Sequence, residues 1–121
     1  MAESAAKLKP EARRRQRWLC SHLVRLEFAD PVFGAQMALL EEIDRRGAAV
    51  AVDSSYPIGL KLTLAAEEYE IPAEIAERVP RETDFLLELR FLEGRQWAPA
   101  HWKPKHLFLP GPAKTKASPK E

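Results

Sequence analysis

Apolar residues in this chain recur at every second position, run after run. Val24, Leu26 and Phe28 share one face of an extended segment, and so do Leu60, Leu62 and Leu64. Tyr69, Ile71, Ala73, Ile75 and Val79 continue the pattern with only Glu77 breaking it, and Phe85, Leu87, Leu89 and Phe91 repeat it. Side chains alternate across a strand, so this period means strands with one face buried and the other wet. Turn signals fall between the runs, at Asp30-Pro31, Phe33-Gly34, Arg46-Gly47, Asp53-Ser54-Ser55, Val79-Pro80 and Glu93-Gly94. Short alternating strands with frequent turns predict an all-β barrel or sandwich.

Length and composition narrow this further. A chain of 121 residues fits one domain. Residues 1–12 are small, polar and charged, and residues 111–121 are rich in Pro, Lys, Ala and Ser. Such segments bury too little apolar surface to offset their ordering entropy. They read as a flexible N-terminal segment and a disordered basic tail around a folded body at 13–110. The formal net charge of +1 gives no global field that selects a polyanion. Cys20 is the one cysteine, so no internal disulfide forms, which suits a reducing compartment. With neither a secretory leader nor a run of about 18 apolar residues, the expected location is the cytoplasm.

Two segments resist the strand reading. Ala35 to Arg46 has helical propensity, with Met37, Leu40 and Ile43 near helical spacing and Gly47 placed as a C-cap. Trp97 to Pro104 has Pro99 near a first helical turn and Pro104 to end it. This predicts a short helix over one end of the barrel, with Trp97 and Trp102 packed inward.

Chemistry-bearing residues are sparse. Arg13, Arg14, Arg15 and Arg17 form a basic knot. Guanidinium groups grip phosphate in bidentate fashion and stack on planar bases. A solvated basic tail would look the same, and wider nucleic-acid binding lacks a broad basic face with interleaved aromatics. Glu42 and Asp44 would share one face of a strand but diverge by about 200° on a helix. His22, His101 and His106 show no metal-ligand spacing. Asp53-Ser54-Ser55 has no histidine placed to activate a nucleophile. Nothing argues for catalysis.

Taken in order, these pieces resemble the PilZ domain, the bacterial receptor module for the second messenger cyclic di-GMP. That family carries R-x-x-x-R followed some 20 to 30 residues later by D/N-x-S-x-x-G. Arg13-Arg14-Arg15-Gln16-Arg17 is similar to the first motif, and Glu42-Ile43-Asp44-Arg45-Arg46-Gly47 stands where the second belongs. Tyr56-Pro57-Ile58-Gly59 resembles the family's turn into its next strand, and Gln96 to Leu107 a C-terminal segment of one branch. The resemblance implies a six-stranded antiparallel split barrel with a short C-terminal helix, and it makes Ala35 to Ile43 a strand. It places ligand contacts on Arg13, Arg17, Glu42 and Asp44, with Arg14 auxiliary and Gly47 permitting the turn. It implies signalling by binding, with no cofactor.

Two departures bear on that reading. Glu42 keeps a carboxylate but reaches one methylene further than Asp. Asp44 replaces Ser, removing a hydroxyl and setting a negative charge beside a dianionic ligand. Asp44 could pair with a motif arginine and fill the site internally, or Arg45 and Arg46 could offset its charge. The alternative implied is an adaptor that binds a protein partner without nucleotide, with Trp97, Trp102 and Phe108 as candidate contacts.

Overall fold

A computed structural model describes residues 17–110 of the chain. The segments 1–12 and 111–121, and with them Arg13 and Arg14, lie outside the described residues. Six strands form: β1 (Trp18–Phe28), β2 (Ala35–Ile43), β3 (Gly47–Val52), β4 (Lys61–Ala66), β5 (Tyr69–Pro80) and β6 (Phe85–Phe91). They close into an antiparallel barrel in the order β1-β2-β3-β6-β5-β4. The seam between β1 and β4 runs from Arg25 opposite Ala65 to Phe28 opposite Leu62.

The alternating runs supply the core. Val24 and Leu26 point inward from β1, Leu40 and Ile43 from β2, and Ile71 and Ile75 from β5. Ala35 to Ile43 is a strand because Ala38, Leu40 and Ile43 fill the barrel interior, and this burial overrides local helical propensity. Ala38 and Leu40 are two apart and Ile43 is three further on. The irregular step is a bulge, since Leu40 pairs with Val50 but Glu42 pairs with Ala49. That extra residue turns both Glu41 and Glu42 outward.

A second bulge corrects one sequence expectation. Val79 was expected to share the inner face with Ile71, Ala73 and Ile75. The β5–β6 register slips between Ile75 and Glu77, and Val79 emerges 42% exposed on the outer face.

The helix expected over Trp97 to Pro104 does not form. Among the described residues there is no helix; the segment makes one turn, closed by the His101 N–H donating to the Ala98 carbonyl at 2.8 Å. The inward packing of Trp97 is retained. It is 1% exposed, and its indole N–H donates to the Trp102 carbonyl at 2.8 Å. The chain then runs as a strap along the upper part of β1, beyond the reach of β4. Leu19 and Phe108 exchange backbone hydrogen bonds at 2.7 and 2.8 Å, and the Ser21 N–H donates to the Lys105 carbonyl.

Candidate functional site

The β2–β3 hairpin is built on Asp44. The Asp44 N–H donates to the Gly47 carbonyl at 2.8 Å, closing a four-residue turn. Asp44 Oδ1 accepts from the Arg46 and Gly47 N–H groups at 2.7 and 2.9 Å. An aspartate mimics a backbone turn in this way. Gly47 is required for a reason the turn reading missed. Its φ is not positive; a Cβ there would run into the Leu89 carbonyl oxygen, so glycine lets β3 approach β6.

The other oxygen of Asp44 meets Arg17. Arg17 Nε donates to Asp44 Oδ2 at 2.9 Å. Arg17 Nη1 donates to Glu42 Oε1 and to Glu88 Oε1, both at 3.1 Å. The strand registers explain the convergence. Glu42 pairs with Ala49, Ala49 with Glu88, and Glu88 with Glu77. One row across β2, β3, β6 and β5 therefore reads Glu, Ala, Glu, Glu. Ala49 points outward, between the core residues Ala48 and Val50, yet is fully buried. The guanidinium bridges the glutamates on either side of this small residue.

The electrostatics favour a fixed, charged arginine. Burial works against the Arg17 charge, but Glu88, Asp44 and Glu42 outweigh it and push the pKa above its ordinary value. Asp44 is 3% exposed, the Arg17 side chain 14%, Glu88 20% and Glu42 36%. Partners are essential for such buried charges, because an isolated one is strongly destabilising. These four side chains set one positive charge against three negative ones. Arg45, an expected source of compensation, engages Gln96 Oε1 at 3.2 Å.

The structure thus brings together three residues singled out from the sequence, Arg17, Glu42 and Asp44, across 25 and 27 positions of chain. Glu88 and Ala49 escaped sequence reasoning. Their outward direction follows from β-strand alternation, but their place beside Arg17 depends on which strands pair and in what register.

The other candidates are placed as follows. His22 is buried, its Nδ1 accepting from the Lys105 N–H at 2.9 Å and its Nε2 facing Glu67 Oε2 at 3.1 Å. Trp102 stacks on Tyr69 and donates to Glu67 Oε1 at 3.1 Å. Of the three aromatic contacts expected of an adaptor, Trp97 is wholly buried and only Phe108 is broadly exposed. Cys20 lies against the Leu40 carbonyl, and burial, aided by Glu42 and Glu41, pushes its thiol up to about 12, which makes it a poor nucleophile. Among the described residues no group of three His, Cys, Asp or Glu side chains could hold a metal ion, and no helix is long and apolar enough to cross a membrane.

Fold and site together define a closed six-stranded antiparallel barrel with an arginine–carboxylate cluster on its outer surface, where Arg17, just before β1, meets the β2–β3 hairpin. Comparison of the chain with protein-family models and with curated proteins returns no match.

Proposed function

We propose that this chain is a PilZ-type signalling barrel that receives cyclic di-GMP on the β2–β3 surface. The observation that carries this is the position of Arg17. The last arginine of the R-x-x-x-R segment lies against the two acidic residues of the Glu42–Gly47 hairpin. In this reading Arg17 passes from the barrel's carboxylates to a ligand phosphate. Arg13 and Arg14 add phosphate and base contacts, and Glu42 accepts guanine N–H bonds. Asp44 remains with the turn.

The transfer has a cost. A ligand phosphate near Asp44, Glu42 or Glu88 meets repulsion of up to about 3 kcal/mol per unit pair at 5 Å and an effective dielectric of 20. Solvent screening lowers this at the exposed Glu42. Binding is therefore weaker than where a serine stands at position 44, by tenfold or more. Calorimetric titration with cyclic di-GMP tests the proposal. Arg17→Ala should abolish the heat, and Asp44→Asn should tighten binding while keeping the turn. Undiminished affinity in Arg17→Ala would show that the nucleotide sits elsewhere.

The contacts that hold Arg17 to Asp44, Glu42 and Glu88 support a second reading. Arg17 would then be a permanent internal tie, and the barrel a nucleotide-free adaptor that meets a protein partner near the exposed Phe108 and Leu19. Absence of heat at about 100 μM protein, in wild type and in Asp44→Asn alike, would select it.

A further inference from the structure

The outer face of the barrel carries an apolar row beside the acidic one. Leu23 pairs with Leu39, Leu39 with Ala51, Ala51 with Leu86, and Leu86 with Val79. These residues lie one above the other across five adjacent strands, all pointing outward. Leu23 is 64% exposed, and Met37 beside it 58%. A groove of about 320 Å³ opens here, lined by Leu23, Met37, Leu39 and Ala51, with Glu41, Asp53 and Asp84 at its rim. A contiguous apolar surface rimmed by charge is the signature of a docking site.

We infer that the occupant is the chain's own N-terminal segment, residues 1–16, with its arginines on the Glu42–Glu88–Glu77 row and Leu8 in the apolar groove. Charge complementarity selects it: the segment has five basic residues, Lys7, Lys9, Arg13, Arg14 and Arg15, against Glu3 and Glu11. Its point of attachment selects it too, since Arg17 is already seated on Glu42 and Glu88. The row from Glu42 to Glu77 spans three strand spacings, about 14 Å. The four residues from Arg17 back to Arg13 reach about 14 Å when extended. Leu8, nine residues before Arg17, reaches the groove with chain to spare. Other occupants fit less well. A second copy would set two net-acidic rims against each other, since one guanidinium, Arg81, is shared by Glu41 and Asp84 beside Asp53, and residues 111–121 contain no large apolar side chain.

Disulfide trapping in the full chain tests this. In a Cys20→Ala background, Leu8→Cys is combined either with Ala51→Cys on β3 or with Thr63→Cys on β4, diametrically across the barrel. Under mild oxidant the 8–51 pair should close within one chain at least tenfold faster than the 8–63 pair. Glu77→Lys with Glu88→Lys should remove that preference. Equal closure rates for the two pairs would overturn the inference, and so would covalent dimers in place of intrachain loops, which would assign the face to a second copy.

Discussion

Asp44 divides its carboxylate between two tasks, holding the turn through Oδ1 and Arg17 through Oδ2. Removing it takes the Nε partner from a largely buried guanidinium and uncaps two backbone N–H groups. Asp44→Ala should therefore cost about 2–4 kcal/mol in urea unfolding. Asp44→Asn keeps the turn acceptor and should cost less than half as much. Glu42 touches the same guanidinium from a more exposed position, and Glu42→Ala should cost no more than about 1 kcal/mol. If Glu42→Ala proves as damaging as Asp44→Ala, burial is not what sets the strength of these contacts. Position 49 offers a separate test. Ala49→Leu puts a branched side chain under the Arg17 guanidinium, so it should eject Arg17 while leaving the inward-facing core intact. In that variant Arg17→Ala should change stability by only about 0.5 kcal/mol, the range of an ordinary surface substitution.

At the scale of elements, the strands were legible and their registers were not. Phe85–Phe91 alternates without interruption and forms β6 over that same span. Ala35 to Ile43 reads as helix on propensity, and the strand became visible in the sequence only through the family resemblance. The reason is physical: its bulge at Glu41 and Glu42 breaks the period-2 pattern that marks a strand. The bulge in β5 hid the outward turn of Val79 in the same way, and with it the end of the apolar row. The strap from Trp97 to Phe108 was legible as an end cover but misread as helix. Its hydrogen bonds go to Arg45, Leu19 and His22, which lie far away in sequence. Its anchoring should depend on pH. The Trp102 indole N–H, opposed by desolvation and helped by His22, holds the Glu67 carboxyl below the usual carboxylate range. A depressed folded value means that the contact contributes fully above the ordinary glutamate pKa and is lost as pH falls through the lowered one. Trp102 emission should shift as pH falls through that lowered value. Glu67→Gln should flatten that acid transition, and an unchanged transition in this variant would assign it to another group.

For the whole molecule, the barrel holds Arg17, Glu42 and Glu88 in one outer patch because β2, β3 and β6 are neighbours. A sequence can show that arginine and acid motifs are present. Only the pairing of β3 with β6 puts Glu88, 71 positions from Arg17, into the same cluster. The patch is electrostatic and only partly buried, so the hold of Glu42 and Glu88 on Arg17 should weaken as salt shortens the Debye length from about 10 Å at 0.1 M. Under the proposed function, signalling would follow from competition for Arg17 between the barrel and a ligand phosphodiester, a population shift whose size is set by the difference in those two affinities. Calorimetric titration of cyclic di-GMP into wild type and Glu88→Gln, side by side in low salt, measures that competition most directly. Glu88→Gln removes one competing carboxylate and leaves the Asp44 turn untouched, so it should bind about tenfold tighter than wild type. Equal affinity in the two proteins, or no heat from either, would contradict the exchange of Arg17 between carboxylate and ligand.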